Sequence, residues 1–290
     1  MEIDFRRFSI SILIVLLFGF LPVCSDSVAG SASLKSQMVE MRDGFHLSTD
    51  VYFEGEVRKG RPSILIRTVY NKNYAFGWNP VWEKLVSQGY AIVIQDIRGR
   101  YESEGSYQIA RGRREDGWDT LEWILNQPWA NGKVGLGGCS YQGETQIVLE
   151  ATNHPSLVVG QPQSAASGYY SPGRAWQSFS GGAFELGQTA GWFAGEGTNV
   201  FYGPNLTGES RSDWFNDKRS HNYKMRPDFD FKKYLKNIKT LPTISLLSRS
   251  GATPNDFDLW RANTPDGDYF RSMDLVDAND RISVPNLFFD

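Results

Sequence analysis

The 290-residue chain is poor in metal-binding and cross-linking side chains: two cysteines, Cys24 and Cys139, and three histidines, His46, His154 and His221. So few thiols and imidazoles exclude a disulfide framework, and no Cys/His set has the spacing of a zinc site. Nothing in the sequence calls for a metal or another cofactor. Charge of one sign is lacking too, with 30 Lys and Arg against 33 Asp and Glu and a net charge of −3. In the absence of a basic cluster, nucleic acid and anionic membrane surfaces are excluded as main partners. No repeat and no long low-complexity linker divides the chain. No apolar run reaches the ~20 residues that a membrane-spanning helix needs.

The longest such run, "ISILIVLLFGFLP", follows Arg6 and Arg7 and precedes the small-residue stretch "VCSDSVAGSAS". That is the three-part plan of a secretory signal peptide over residues 1–29, cleaved after Ala29 with Ser27 at the −3 position, or after Ser25. A permanent membrane helix is the other reading of this run. Export to the periplasm or the medium is therefore expected, with no membrane contact after cleavage. Cleavage would remove Cys24 and leave Cys139 without an internal disulfide partner, so a packed core has to hold the fold.

The composition allows such a core: 40% of residues are hydrophobic and 22% charged. Aromatics reach 14% and crowd between Tyr169 and Trp260, which fits either core packing or an aromatic-lined cleft. "VEMRDGFHLSTDVYF" alternates around Asp43-Gly44, a hairpin signal. "SILIR" (63–67) and "YAIVIQD" (90–96) are the continuous apolar runs of strands buried on both faces. Between them "NPVWEKLVSQG" predicts a helix from Pro80 to Gly89, with Trp82, Leu85 and Val86 on one face. "REDGWDTLEWILNQPW" predicts a second helix, inward-facing through Trp118, Leu121 and Leu125 and stopped by Pro128. Then follow a strand "KVGLGG" (133–138), a helix "YQGETQIVLEATN" and a strand "SLVVGQP".

Strands alternating with helices imply right-handed crossovers and an α/β fold, a mainly parallel sheet with helices on both faces. Residues 30–170 form the first part of that core. From 171 to 280 the rhythm dissolves into Gly, Ser, Trp and Asn and then "DFDFKKYLKNIK", the pattern of an inserted, partly helical cap. "RISVPNLFFD" (281–290) starts a returning core strand.

Between the third strand and the third helix lies "GGCSYQG" (137–143). A tight strand-to-helix turn exposes its central side chain at the sheet's carboxyl edge and aims helix N-terminal amides at any oxyanion forming there. Gly137, Gly138 and Gly143 supply room for that turn. Ser140 is thus the candidate nucleophile, although the spacing departs by one residue from G-x-S-x-G. Cys139 is expected to point away from the turn as a small buried residue. An oxyanion needs donors; the backbone N–H of Tyr141 is one, and a group in "TVYNKNYAFGW", directly after "SILIR", is the other.

These stretches, with "GYAIVIQDIRGRYESEG" and "SGGAFELG", resemble in order the cocaine-esterase / X-prolyl dipeptidyl-peptidase family of α/β-hydrolases. The family's nucleophile pattern is G-x-S-Y-x-G, which Gly138, Ser140, Tyr141 and Gly143 match. The resemblance implies a serine hydrolase of ester or amide bonds, in small-molecule or short-peptide substrates, acting through an acyl-enzyme at Ser140. It implies that the Tyr70 hydroxyl and the Tyr141 amide form the oxyanion hole; a phenol stays a neutral donor at pH 7. Asp96, Arg98 and Gly99 match the family's D-x-R-G turn, read as structural, with Asp96 holding the loop.

The same resemblance implies a triad in the order Ser, Asp, His, with the aspartate a few residues after a V-P-x-L strand. Here that strand is "ISVPNL", and Asp290 falls short of the aspartate's place. His154, fourteen residues after Ser140, would lie about 20 Å away along the helix and cap its C-terminus before Pro155. His46 is expected on the surface of the hairpin, and His221 could approach only from the cap. The expectation is therefore a nucleophile and oxyanion hole without the triad Asp and His, in a core left incomplete at its C-terminus, as in an incomplete product. The family's amino-ester hydrolases carry a "GDDW"-like acidic segment; "GRAW" (173–176) puts Arg174 there, which favours a neutral or anionic acyl group. A non-catalytic ligand-binding protein on an α/β-hydrolase core is the alternative. Asn205-Leu206-Thr207 is a glycosylation sequon only in a eukaryotic secretory pathway, and no oligomeric state follows from the sequence.

Overall fold

The structure, a computed structural model, describes residues 32–287 apart from 58, 78, 108, 110–113, 166–182, 196–200, 203–230, 253–254, 265–266 and 277–278. The expectations placed on the signal segment 1–29, Arg174, Asn205, His221 and Asp290 lie outside the described residues.

A six-stranded sheet in the order β1-β2-β4-β3-β6-β8 forms the centre. It comprises β1 (Ala32–Glu40), β2 (His46–Glu54), β3 (Arg61–Thr68), β4 (Ala91–Asp96), β6 (Ala130–Leu136) and β8 (Leu157–Val159). The β3/β4, β3/β6 and β6/β8 pairs are parallel, whereas β1/β2 and β2/β4 are antiparallel. The hairpin turns at Asp43-Gly44, where Gly44 takes φ 83°, a left-handed conformation natural to glycine. β1 starts at Ala32, well before the alternating stretch that announced it; as an edge strand it carries few apolar residues, and Leu34 is exposed.

Alternation along β3 and β4 sorts the core onto two faces. Ile66, Ile92 and Ile94 meet Trp82 and Val86 of α2 (Pro80–Ser87) on one side. Leu65 and Val93 meet Leu121 and Ile124 of α3 (Arg114–Leu125) and Leu149 of α4 (Tyr141–Glu150) on the other. Asn79 caps α2 by accepting the Val81 N–H at 3.0 Å, and Pro80 fills its first position. The buried stripe of α3 is Asp116, Gly117, Thr120, Leu121 and Ile124; of the predicted inward residues Leu121 is buried, whereas Trp118 and Leu125 are half-buried. The helix is rolled because α4 packs close: a Cβ on Gly117 would stand 2.8 Å from Leu149 Cδ1.

Beyond the sheet, the described residues include α5 (Leu186–Gly195) and shorter helices at Phe231–Asn237, Leu246–Arg249, Phe257–Ala262 and Asp268–Arg271. Their Ala190, Phe193, Leu246, Phe257, Trp260 and Phe270 share one apolar cluster with Val69, Ile97, Tyr107 and Tyr141 from the carboxyl ends of the strands. Phe201–Tyr202 also pairs with β5 (Gly105–Ser106). The chain returns to the sheet at Asn286, which bridges Gly160 in parallel; Gly160 N–H donates to Pro285 O and Leu287 N–H to Gly160 O. No helix among the described residues is long and apolar enough to cross a membrane.

Candidate active site

β6 gives way at Leu136 to β7 (Gly138–Cys139), which pairs with β9 (Pro162–Gln163) in a separate two-residue ladder. Ser140 follows at φ 60°, ψ −126°, immediately before α4. A non-glycine residue there stores strain on the order of 1–3 kcal/mol and persists only where its surroundings fix it. They do: Ser140 N–H donates to Gln163 O at 2.9 Å, and Ser140 O accepts from Gly143 and Glu144 at 2.8 and 3.1 Å. The motif's glycines are steric necessities. A Cβ on Gly143 would lie 2.7 Å from Ala165 Cβ and 2.9 Å from Gln163 O. One on Gly138, itself at φ 128°, would lie 2.6 Å from Gln142 Cβ.

Cys139 is an exposed free thiol, contrary to the buried position expected of it. β7 belongs to the small ladder and not to the six-stranded sheet, so the residue before the serine faces solvent.

Tyr70, in the turn between β3 and α1 (Lys72–Ala75), brings its hydroxyl to the serine. Tyr70 O–H donates to Ser140 Oγ at 3.0 Å, and Tyr141 N–H donates to Tyr70 Oη at 3.3 Å. The three residues singled out in the sequence are thus within hydrogen-bond reach of one another. The Tyr141 N–H points at the phenol oxygen and the phenol O–H at a half-buried serine hydroxyl, two donors of the kind that can stabilise an oxyanion.

Trp192 of α5 completes the surroundings, nearly parallel to the Tyr141 ring at 6.1 Å and edge-on to Tyr70 at 6.0 Å. Aromatic enrichment after Tyr169 hinted at such a wall, but nothing in the linear sequence singles out Trp192.

Neither described histidine hydrogen-bonds Ser140. His46 is half-buried rather than on the surface, its backbone N–H and Nδ1 both meeting Glu104 Oε2, at 2.8 and 3.0 Å. His154 does not cap α4, whose C-cap is Ala151. Turns through Asn153, at φ 48°, carry it away from the helix end. The His154 ring is buried against Trp118, with Nδ1 2.8 Å from Ser156 Oγ and Nε2 2.8 Å from Glu122 Oε1.

The D-x-R-G turn is buried and densely bonded. Arg98 makes a two-pronged contact with Asp116, at 2.9 and 2.5 Å, and a third with Asp43 at 3.0 Å. Gly99 is forced: at φ 72°, a Cβ would lie 2.1 Å from Tyr107 N. Asp96 Oδ1 accepts the Lys72 N–H at 2.8 Å, and Asp96 O accepts from Ser103 Oγ at 2.6 Å. Burial pushes the Asp96 carboxyl up to about 8, outweighing the opposing pull of Lys72. Lys72 was not anticipated in any role, yet it is buried, with Nζ 3.0 Å from Asp50 Oδ1 and 3.1 Å from Glu102 Oε2. Among the described residues no group of His, Cys, Asp and Glu is placed to hold a metal ion.

A family model described as X-Pro dipeptidyl-peptidase (S15 family) matches residues 43–285. Cocaine esterase from Rhodococcus sp. (strain MB1 Bresler) is 38% identical over 180 residues, taking in 60% of this chain and 30% of the esterase. Among solved structures, an aminopeptidase from the marine sediment archaeon Thaumarchaeota archaeon aligns with a TM-score of 0.63 and 20% identity, over 92% of this chain and 44% of that one. An alpha-amino acid ester hydrolase aligns with a TM-score of 0.62 and 23% identity, over 92% and 45% of the two chains. The matches span less than half the length of each of these relatives.

Proposed function

The chain belongs to the X-Pro dipeptidyl-peptidase (S15) family, and we propose that it is an exported serine hydrolase of ester or amide bonds, acyl or X-prolyl, working through an acyl-enzyme at Ser140. The observation that carries this reading is the meeting of the Tyr70 hydroxyl and the Tyr141 amide at a serine held in a left-handed turn.

In the proposed mechanism Ser140 Oγ attacks the acyl carbon and its proton passes to a general base. The carbonyl oxygen, now an oxyanion, takes over the Tyr70 O–H and the Tyr141 N–H. These donors are fixed before reaction, so they favour the charged intermediate without reorganising. Collapse expels the alcohol or amine, which receives the proton from the base, and water then releases the acyl group by the same steps in reverse roles. The base is assigned to a histidine outside the described residues, since His46 bonds Glu104 and His154 bonds Ser156 and Glu122, and neither bonds Ser140. Tyr70, bonded to the serine, and Trp192, edge-on to Tyr70, offer partly exposed aromatic surface suited to an apolar substrate group.

Arg174 further suggests a neutral or anionic acyl group; faster turnover of amino-acid esters than of simple acyl esters would remove that preference. The test of the main reading is labelling of the full-length protein with a fluorophosphonate probe. Labelling confined to the Ser140 peptide and lost in Ser140→Ala supports a hydrolase. No labelling of the parent, or equal labelling of the variant, would leave a non-catalytic ligand-binding protein as the better reading.

A further inference from the structure

We infer that Thr68 and Lys72 are positioning residues that clamp Tyr70 from both sides and so hold its hydroxyl beside Ser140. The catalytic consequence rests on the hydrolase reading above; the clamp itself does not.

Tyr70 belongs to neither β3, which ends at Thr68, nor α1, which begins at Lys72. Within the turn that carries it, Asn71 Oδ1 accepts the Asn73 N–H at 3.0 Å and caps α1. Asn71 itself sits at φ 79°, ψ 110°, a left-handed conformation unfavourable to a residue with a side chain. Such a conformation persists where its surroundings over-determine it, and here the two ends of the turn are tied to the rest of the fold.

On the N-terminal side the anchor is the fully buried hydroxyl of Thr68. Its oxygen accepts the Tyr70 N–H at 3.0 Å and also Gln142 Nε2 at 3.1 Å. Gln142 lies two residues after the nucleophile, so a single oxygen registers the tyrosine's backbone against the serine's own helix. Thr68 is itself held, its carbonyl accepting the Ile97 N–H at 2.9 Å.

On the C-terminal side the anchor is Lys72, a lysine only 1% exposed. Its N–H donates to Asp96 Oδ1 at 2.8 Å, and its Nζ lies between Asp50 and Glu102. Those carboxylates are tied down in turn: Asp50 Oδ1 accepts from Ser36 Oγ at 2.7 Å, and Glu102 Oε2 from Ser48 Oγ at 2.9 Å. β1, β2, β4 and the loop after β4 thus converge on one residue, two positions past Tyr70. Buried ion clusters are often matched in stability by apolar residues of similar volume. What this one provides is a fixed position for the chain that carries the tyrosine. Thr68 bonds Tyr70 and Gln142, and Lys72 bonds Asp96, Asp50 and Glu102, so their effect on Ser140 runs through Tyr70.

The experiment compares Thr68→Val with Thr68→Ser in the full-length protein, each checked by circular dichroism. It reads p-nitrophenyl ester hydrolysis together with the ¹⁹F resonance of 3-fluorotyrosine placed at position 70. Thr68→Val, nearly isosteric, should lower kcat about 10- to 100-fold with KM changed less than about twofold, and should shift or split the fluorine line. Thr68→Ser, which restores the oxygen, should recover both. Asp96→Leu against Asp96→Asn repeats the comparison on the Lys72 side, because Asn keeps an acceptor for the Lys72 N–H. An unmoved fluorine line in both Thr68→Val and Asp96→Leu overturns the clamp, as does unchanged kcat in both. A fluorine line that moves as expected in a parent without Ser140-dependent hydrolysis upholds the clamp and sinks the hydrolase reading instead.

Discussion

The two halves of the site, the serine turn at 137–143 and the tyrosine turn at 68–72, are held in place by opposite means. The serine turn is fixed by lack of room. At Gly138 and Gly143 a single added carbon would collide with atoms at 2.6 and 2.7 Å. The contacts that enforce this come from the adjoining ladder and from α4 itself. The tyrosine turn is fixed by hydrogen bonds and ion pairs that reach far along the chain, from Lys72 to Asp50, Asp96 and Glu102 and from Thr68 to Gln142. One half should fail when volume is added, the other when a polar partner is removed.

The largest expected effect sharpens nothing but the premise. Ser140→Ala should lower kcat/KM by about 10⁴-fold or more while leaving the melting temperature nearly unchanged, read by ester hydrolysis and thermal denaturation. Gly143→Ala comes next and tests the steric half directly. The new methyl meets Ala165 and the Gln163 backbone, so activity should fall about 100-fold and stability by about 1–3 kcal/mol, measured by urea unfolding. A Gly143→Ala protein as stable and active as the parent would mean that the serine turn is not held by lack of room.

The smallest effect on activity belongs to Asp96→Asn, which keeps the acceptor for Lys72 and should hydrolyse esters at nearly the parent rate at pH 7. Its signature is pH dependence. Burial raises the folded-state Asp96 value to about 8 against the ordinary 3.8, with Lys72 opposing and Glu102 and Asp50 reinforcing the rise. Between those two values the folded protein binds a proton that the unfolded chain has released, so this group's stabilisation, full below the lower value, is lost as pH climbs toward about 8. Asparagine cannot lose a proton. The variant should therefore gain stability relative to the parent across that window, by at most about 1.4 kcal/mol per pH unit. Parallel stability curves for the two proteins would mean that Asp96 is ionised in the fold.

The same contrast explains what could be read from the sequence. β3 and β4 were legible because strands buried on both faces leave unbroken apolar runs, and α2 because Pro80, Gly89 and its apolar face all point to one element. A strand-end glycine cluster singles out Ser140 and the family resemblance singles out Tyr70, and the fold sets the two hydroxyls 3.0 Å apart. The face of α3 was misjudged by its large side chains: Trp118 looks inward by size, but the close approach of α4 reserves that side for Gly117. Cys139 was misjudged because the ladder of β7 with β9 is a tertiary detail. The Lys72 cluster was invisible for a deeper reason. A polar core drawn from positions 50, 72, 96 and 102 has the composition of a solvated surface, and only the sheet order makes it a core.

The central proposal is that Tyr70, 70 positions upstream of Ser140 and bonded to its hydroxyl, supplies half of the serine's oxyanion site. Stopped-flow acylation by p-nitrophenyl acetate tests it most directly, comparing parent and Tyr70→Phe full-length proteins at equal folded concentration. Loss of the one hydroxyl should slow the burst of p-nitrophenol about 10²- to 10³-fold while leaving its amplitude near one per protein. A burst in Tyr70→Phe as fast as the parent's would contradict that assignment.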